Sequence, residues 1–271
     1  MPELPEVETT VRGLAPVLEG RRIESLELRR DDLRRPFQPD LRQRVTGARV
    51  TRLDRRAKYG LIDTDRGDTL VFHLGMSGHW RVDPDEIGKH DHVVIMTDEG
   101  RRLALNDPRR FGSLDLMRTE ALNDYAPFAV MGPEPLGEEF DGAYLHNALA
   151  GRTASIKALL LDQRIVAGLG NIYVCDALNL AGIAPGRAAG RIAPPRLDRL
   201  AESVKTVLRA AIAAGGSSLR DYVQPNGELG YFSSDWRVYG REGKACPACG
   251  AAIRRRVDSG RSTFHCPACQ R

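Results

Sequence analysis

Two pairs of cysteines near the end of the chain have the spacing of a metal site. Cys246 and Cys249 form one Cys-x2-Cys pair, Cys266 and Cys269 form the other, and sixteen residues separate the pairs. Each pair can place two thiolates on one turn, and a hairpin between the pairs would bring all four around a tetrahedral Zn²⁺. Two disulfides are the alternative, which the intracellular character of the remaining chain disfavours. A four-thiolate site leaves no position for a substrate, so we expect one structural zinc ion and no organic cofactor.

The segment between the cysteine pairs is predicted to form a basic two-stranded hairpin. Arg254–Arg256 precede the turn-forming run Asp258-Ser259-Gly260, and Arg261 follows it. Residues 237–271 carry eight basic and two acidic residues, whereas the whole chain has a formal charge of +4, so the remainder is slightly acidic. A basic finger on a near-neutral body indicates a polyanionic partner, although a run of charges is also a common solvent-exposed face.

The first residues offer a nucleophile. Methionine before a small residue is normally removed, and removal of Met1 would leave Pro2 with a free secondary amine. Such an amine can attack a sugar C1′ and form an iminium that stays cationic, and Glu3 is an adjacent acid–base group. Many proteins begin Met-Pro, so this dipeptide alone is a weak signal.

A glycine-rich turn and two loops could contact nucleic acid. Gly168–Asn171 lies between two predicted helices, and Asn171 is expected to cap the second of them, where free N–H groups attract phosphate. Asp107–Gly112 and Leu74–Gly78 are predicted turns that carry Arg109, Phe111 and Met76. Enzymes that act on a base inside a duplex extrude it, and such side chains can fill the space left behind. The alternatives are an ordinary helix-helix turn and two core residues.

The elements that position these residues fall into two parts. Apolar periodicity predicts a helix over residues 7–18 that Gly20 ends, and six short strand-like runs follow up to about residue 118. A linker is predicted at 131–137, and the chain beyond it is helical. The strand-like runs are Leu26–Leu28, Leu61–Asp63, Thr69–Leu74, His92–Met96, Arg102–Leu105 and Ser113–Leu116, and the helices are expected at 142–150, 155–162, 171–181 and 195–214.

The composition bounds the class of protein. A length of 271 residues suggests about two domains with a small metal module as an appendage. No run of eighteen apolar residues occurs, and acidic residues stand where a signal peptide needs positive charge. We therefore expect a soluble cytoplasmic protein without a membrane partner. The fifth cysteine, Cys175, is expected to be a small buried hydrophobic residue.

Blocks of sequence from the second residue to the last cysteine resemble bacterial formamidopyrimidine-DNA glycosylase. They are Pro2–Glu8, Arg55–Tyr59, His73–Gly78, Lys89–His92, Asp107–Gly112, Gly168–Tyr173, Val238–Arg241 and the four-cysteine finger. The resemblance implies a multidomain α and β protein with an N-terminal β-sandwich and flanking helices (1–133), a helical helix-two-turn-helix domain (134–236) and a zinc finger (237–271). Gly216–Tyr231 resemble the loop that closes over the everted base.

The resemblance also implies an activity, a partner and a set of roles. The activity is a bifunctional DNA glycosylase and AP lyase that excises 8-oxoguanine and formamidopyrimidines from damaged double-stranded DNA, acting as a monomer. Pro2 matches the nucleophile, Glu3 the acid, Lys58 the lysine of β-elimination and Arg261 the arginine of δ-elimination.

Further positions match DNA contacts of the family. His90, Arg109, Arg152 and Asn171 fall on contacting positions, and Met76, Arg109 and Phe111 match the residues that fill the void in the duplex. Asp176 is a departure, because relatives commonly carry Glu there. Without the resemblance, Lys58 would be interpreted as a surface lysine and His90 as a histidine with its hydrogen bonds satisfied.

Two other functions fit parts of the pattern. An endonuclease VIII-type glycosylase shares the Pro-Glu start and the finger but prefers oxidised pyrimidines, and Leu4 together with the turn at Arg109–Phe111 favours the purine enzyme. A zinc-ribbon DNA-binding protein without catalysis would explain the finger and the glycine-rich turn. It leaves the N-terminal pattern unexplained.

Overall fold

The computed structural model describes residues 1–217, 225 and 235–271. Most of the loop expected at 216–231 therefore lies outside the described residues. Among the helices of the described part, none combines the length and the apolar character that a membrane span requires.

The chain divides into two compact units. The first contains Met1–Ala129 and Ala214–Ser233, and the second contains Val130–Ala213 and Ser234–Arg271. The boundary after Ala129 lies two residues before the predicted linker. The predicted division into three domains, with boundaries after residues 133 and 236, stays a prediction.

The first unit is built on two four-stranded antiparallel sheets. Its strands are β1 (Ile23–Leu28), β2 (Val50–Arg56), β3 (Tyr59–Thr64), β4 (Asp68–His73), β5 (His79–Val82), β6 (Asp91–Thr97), β7 (Arg102–Asn106) and β8 (Ser113–Arg118). One sheet has the order β1-β6-β7-β5 and the other the order β2-β3-β4-β8. Side chains of both sheets, such as Ile62, Leu70, Val93 and Leu103, belong to one apolar core. This arrangement confirms the predicted β-sandwich.

Helix α1 (Leu4–Leu18) is the first element of this unit. Val7, Val11, Leu14 and Leu18 recur at helical spacing and are buried in the core of the sandwich. The helix ends where the chain turns at Gly20, whose φ of +79° is a conformation that favours glycine. The core therefore fixes the direction of α1, and with it the position of the first residues of the chain.

Five elements in the described part of the first unit were not predicted from the sequence. Strand β2 carries five polar residues among seven and buries only Val50 and Leu53, so it lacks a clear alternation. Strand β5 has four residues and helix α2 (Leu41–Val45) has five, which are too short for a periodic signal. A 3-10 helix at Thr119–Asp124 and the short helix α3 (Ala126–Ala129) end the unit's first segment.

The second unit contains four helices at the predicted places. They are α4 (Gly142–Leu149), α5 (Ile156–Leu160), α6 (Asn171–Leu180) and α7 (Pro194–Ala213), with a 3-10 turn at Ala189–Arg191. Helix α6 is buried on all sides from Ile172 to Asn179 and packs against α7. Cys175 lies in this buried run and is fully inaccessible to solvent, as predicted.

The predicted basic hairpin is present in the second unit. Strands β9 (Arg254–Asp258) and β10 (Arg261–His265) pair antiparallel, with Asp258 opposite Arg261. Ser259 and Gly260 connect them with φ values of +50° and +75°. Positive φ at both loop residues is the geometry of a type I′ turn, which matches the right-handed twist of the strands.

Candidate active site and nucleic-acid interface

The first residues of the chain are buried at the start of α1. Pro2 is buried, and Glu3, which precedes the first helical residue, is only 3% exposed. Glu3 and Glu6 form a capping box, in which the Glu3 N–H donates to Glu6 Oε2 at 2.8 Å. The backbone that follows Pro2 is therefore fixed by hydrogen bonding at the start of the helix.

Glu6 also holds a second segment of the same unit. Its other oxygen, Oε1, accepts the N–H of Ser217 at 2.8 Å, and both Glu6 and Ser217 are buried. Gly216 has a φ of +80°, and a Cβ there would lie 3.2 Å from Glu6 Oε1. Glu6 is not among the residues whose roles were predicted from the sequence. The usual sequence signature of a capping box begins with Ser, Thr, Asp or Asn, so Glu3 followed by Glu6 gave no clear signal of this pairing.

Lys58 lies in the two-residue connection between β2 and β3. Its neighbour Ala57 has a φ of +54°, and Lys58 itself is only 9% exposed. The alternative of an ordinary surface lysine is therefore wrong. A lysine in a tight turn that is shielded from water has far fewer conformations than a lysine on a helix surface. This restriction suits a side chain that must reach one particular atom of a substrate.

The positive charge of Lys58 affects the pKa of His73, which lies at the end of β4. Its ring packs against Tyr59 with 4.7 Å between centroids, and its Nδ1 accepts the N–H of Gly75 at 3.0 Å. Burial lowers the pKa of His73 to about 4, and the positive charge of Lys58 acts in the same direction. His73 is therefore neutral at physiological pH, with its proton on Nε2.

Met76 and Phe111 are exposed, so the alternative that they are core residues is wrong. Met76 is 37% exposed and Phe111 is 45% exposed. The guanidinium of Arg109 lies over the Phe111 ring, 4.8 Å from its centroid. Large apolar side chains at exposed loop positions, with a cation stacked on one of them, have the character of wedges that enter a base stack.

The loops that carry these side chains are joined by Asp107. This buried carboxylate accepts the Ser77 hydroxyl at 2.9 Å on Oδ1 and the Gly112 N–H at 2.8 Å on Oδ2. Gly75 makes the approach possible, because a Cβ there would lie 2.4 Å from the Phe111 carbonyl carbon. Asp107 thus sets the relative positions of Met76 and Phe111.

Asp107 also connects the loop of His90. Its N–H donates to the His90 carbonyl at 2.9 Å, while its own carbonyl lies 3.0 Å from His92 Nε2. His92 is buried and His90 is exposed, so the histidine held in place inside the fold is His92. The His90 ring is at the surface of the first unit, as a phosphate contact requires.

In the second unit the expected cap by Asn171 is wrong. Gly170 is the N-cap of α6 and makes no side-chain capping bond, while Asn171 is the first helical residue. Its Nδ2 donates instead to the Ser262 carbonyl of β10 at 2.9 Å. The sequence could not show this contact, because ninety-one positions separate the two residues. Asn171 therefore connects the glycine-rich turn with the basic hairpin.

Arg152 and Arg261 are both exposed at turns of the second unit. Arg152 follows Gly151, whose φ is +69°, after the end of α4. Arg261 is the first residue of β10, directly after the type I′ turn. Both side chains are accessible from solvent, which is compatible with the predicted DNA contact of Arg152 and with the predicted role of Arg261 in δ-elimination.

The four cysteines of the finger converge. All four Sγ atoms lie within 4.8 Å of one another, with 3.9 Å between those of Cys246 and Cys269 and 3.5 Å between those of Cys249 and Cys266. Four thiolates around a zinc ion are separated by about 3.8 Å, whereas a disulfide needs about 2 Å. The residues fit zinc, and none of the cysteines forms a disulfide.

Asp176 on α6 fixes the chain that leads into the finger. Its Oδ2 accepts the N–H of Arg237 at 2.9 Å, and its Oδ1 accepts those of Val238 and Tyr239 at 3.0 and 3.1 Å. Burial raises the pKa of Asp176, while these three hydrogen bonds oppose that shift. Although Asp176 has a shorter side chain than Glu, both of its carboxylate oxygens accept hydrogen bonds. Single-sequence patterns give no sign of this role.

A second polar link joins α6 to the metal site. Arg237 Nε donates to Asn179 Oδ1 at 3.1 Å, and Asn179 Nδ2 donates to Gln270 Oε1 at 3.2 Å. The same Gln270 oxygen accepts the N–H of Cys266 at 2.7 Å. Asn179 and Gln270 are each 4% exposed. Buried polar chains of this kind specify a single geometry when every member is paired.

Comparison with known proteins places the whole chain among one set of relatives. Three family models match in succession: the formamidopyrimidine-DNA glycosylase N-terminal domain over residues 1–114, the formamidopyrimidine-DNA glycosylase H2TH domain over 131–223, and the zinc finger found in FPG and IleRS over 243–271. Proteins named formamidopyrimidine-DNA glycosylase from Rhizorhabdus wittichii and Novosphingobium aromaticivorans are 69% and 61% identical over all of both chains.

Solved structures agree over the same extent. The MutM (Fpg) protein from Thermus thermophilus is similar at a TM-score of 0.90 and 40% identity, with 99% of this chain and 98% of that one covered. Lactococcus lactis Fpg in complex with DNA that contains an abasic site matches at a TM-score of 0.91 and 35% identity, covering 100% of each chain. The predicted multidomain fold with a zinc finger is confirmed.

We predict that His73→Asn removes part of the acid sensitivity of the first unit. Because the pKa of His73 falls from 6.5 to about 4 on folding, its stabilising contribution is complete above pH 6.5 and is lost as pH falls towards 4. The full shift corresponds to about 3 kcal/mol. Urea unfolding at pH 7 and pH 4 should show that the wild type loses about that much more stability than the variant, in which Asn retains an acceptor for Gly75. The exposed His146→Asn serves as the control, and parallel wild-type and His73→Asn curves would refute the assignment.

We predict that Asp176→Asn loosens the entry to the finger. The amide nitrogen cannot accept an N–H, so at least one backbone donor at 237–239 stays buried without its acceptor, which costs about 1 to 3 kcal/mol. Hydrogen exchange of these amides should accelerate in the variant. Asp162→Asn, which alters a carboxylate paired with the exposed Arg164, is the matched control. Unchanged protection at 237–239 would contradict the prediction.

Proposed function

The chain belongs to the formamidopyrimidine-DNA glycosylase family, and we propose that it removes oxidised purines from duplex DNA through a covalent intermediate on Pro2. It is a DNA glycosylase of base excision repair with AP lyase activity, it binds damaged DNA, and its finger holds one zinc ion. The roles of single residues in that reaction are our proposal. We further propose that it works as a monomer in the cytoplasm, associated with the nucleoid.

The observation that carries the proposal is the buried start of α1. Pro2 is shielded from water, and the Glu3–Glu6 capping box fixes the backbone beside it. A nucleophile that must reach one sugar carbon gains from such fixation, because the entropy of alignment is lost on folding instead of during the reaction. Met1, which is 47% exposed, must be removed to free the Pro2 nitrogen.

We propose that Pro2 and Glu3 carry out base excision. The Pro2 nitrogen attacks C1′, and the bond from C1′ to the base breaks with its electron pair leaving on the base. The nitrogen loses its proton in this exchange, and the departing base gains one. The bond from C1′ to the ring oxygen then opens, and that oxygen receives a proton from Glu3 while nitrogen and C1′ form an iminium. Since proline is a secondary amine, the iminium keeps its positive charge at any pH and draws electrons from C2′.

We propose that Lys58 and Arg261 serve the two eliminations. Loss of a C2′ proton breaks the C3′–O bond and releases the phosphate of the downstream strand. Loss of a C4′ proton then breaks the C5′–O bond and releases the phosphate of the upstream strand. Water hydrolyses the remaining iminium to an unsaturated aldehyde and free Pro2. Lys58 assists the first step and Arg261 the second.

We propose that surface residues of the two units bind and open the duplex, among them the exposed Arg152 and His90 and the half-buried Asn171. Arg152, Asn171 and His90 contact phosphates, which gives an affinity that falls steeply with salt concentration. Met76, Phe111 and Arg109 enter the stack when the lesion leaves it. Eversion costs a few kcal/mol and less for a damaged base, and the inserted side chains offset part of this cost. Their exposure, their stacking and their common support by Asp107 favour these roles.

The proposal predicts a lesion-dependent covalent adduct. Mixing the protein with borohydride and duplexes that contain 8-oxoguanine or a formamidopyrimidine should trap a protein–DNA complex, and the analogous undamaged duplex should give none. Pro2→Thr should abolish the adduct, whereas Arg261→Ala should still form it and should stop cleavage after the first elimination.

The same panel separates the alternatives. A preference for oxidised pyrimidines would favour an endonuclease VIII-type specificity. Failure of the wild type to form any adduct, with DNA binding intact, would favour a zinc-ribbon protein without catalysis and refute the proposal.

A further inference from the structure

Lys157 on α5 is a buried lysine to which the mechanism above assigns no role. It is only 2% exposed. Its Nζ donates to Thr263 Oγ1 at 2.6 Å and to the Ser262 carbonyl at 3.2 Å. Both acceptors belong to β10, and Thr263 is fully buried. The lysine therefore joins a helix to the basic hairpin over more than one hundred positions of sequence.

Connecting α5 to β10 through a buried ammonium costs free energy, because the charge is removed from water. Burial lowers the pKa of Lys157, and the nearby Arg261 and Arg256 act in the same direction, whereas Cys175 and Asp258 oppose the shift. A methionine would fill similar space without desolvating a charge, and replacing buried charges by apolar residues is often neutral or stabilising. Stability alone does not explain Lys157. What the ammonium adds over methionine is direction, because it aims hydrogen bonds at two atoms of β10.

The two acceptors adjoin Arg261. Ser262 is the next residue, and its carbonyl accepts a second hydrogen bond from Asn171 Nδ2 of α6 at 2.9 Å. Two donors from two helices thus converge on the one carbonyl that follows Arg261. A cavity of about 310 Å³ beside the turn is lined by Lys157, Asp258 and Arg261 among others, so the side chain of Arg261 has room to move. These hydrogen bonds therefore hold the backbone next to Arg261 in place, and not its side chain.

We infer that Lys157 is a positioning residue, which holds β10 at Ser262 and Thr263 so that Arg261 and Asn171 keep one fixed arrangement at the surface of the second unit. This inference rests on the proposed function, because it takes Arg261 as the group that promotes δ-elimination. Loss of the ammonium loosens that arrangement, whereas Pro2, Glu3 and Lys58 belong to the other unit.

The consequence is selective. Base excision and β-elimination continue in the absence of the ammonium, while δ-elimination slows. A misplacement of about 1 Å can cost up to a hundredfold in rate. We expect Lys157→Met to lower the ratio of the twice-cut product to the once-cut product by about tenfold.

The test is a single-turnover reaction on a duplex with a preformed abasic site, in which both products are resolved on a denaturing gel. Lys157→Met is compared with the wild type, and Lys205→Met on α7, whose partner is the exposed Glu202, controls for loss of one positive charge. Zinc content and melting temperature are measured for every variant. Thr263→Val removes the closer acceptor and should shift the ratio in the same direction, whereas Thr263→Ser keeps the hydroxyl and should restore it.

Each outcome decides the inference. A lowered product ratio in Lys157→Met and Thr263→Val, with Thr263→Ser close to the wild type, supports it. An unchanged ratio, or an equal fall of both products, would assign Lys157 to folding or to general binding and overturn it. If Lys157→Met does not fold, the two Thr263 variants decide. Absence of a trapped adduct in the wild type would instead refute the proposed function itself.

Discussion

The proposed reaction depends on a fixed Pro2, and the carboxylate of Glu6 provides that constraint. One of its oxygens accepts the N–H of Glu3, and the other accepts the N–H of Ser217. A chain terminus normally frays, because it lacks neighbours on one side. Here the capping box and the burial of Pro2 remove that freedom. Helix α1 is itself held by the apolar core of the sandwich, so the packing of the first unit determines where Pro2, the proposed nucleophile, lies.

In the second unit, helix α6 is the element that holds other segments in place, as Glu6 does in the first unit. Asn171 at its start contacts the hairpin, Asp176 in its middle holds the segment that enters the finger, and Asn179 near its end reaches the metal site through Gln270. The zinc ligands close the finger on itself, and these buried polar contacts orient it. Polar contacts are directional, so they define an orientation more narrowly than apolar packing does.

The sequence predicted what depends on local spacing. The cysteine pairs, the turn at Asp258–Gly260 and the apolar stripe of α1 each follow from neighbouring residues, and the structure has all three. Contacts between residues that are far apart in the chain could not be predicted from the sequence. Asn171 turns to Ser262 instead of capping α6, and the burial of Lys58 depends on the fold around it. No local pattern marks Asp107, Asp176 or Lys157, because their hydrogen-bond partners lie far away in the sequence and meet them only in the fold.

We propose that the secondary amine of Pro2 carries the covalent intermediate. The most direct measurement is mass spectrometry of the peptides released from the borohydride-reduced complex with 8-oxoguanine DNA. We expect a peptide that begins at Pro2, lacks Met1 and carries the reduced sugar remnant on its proline nitrogen. A remnant on Lys58 or on any other lysine, with an unmodified Pro2 peptide from the same sample, would contradict it.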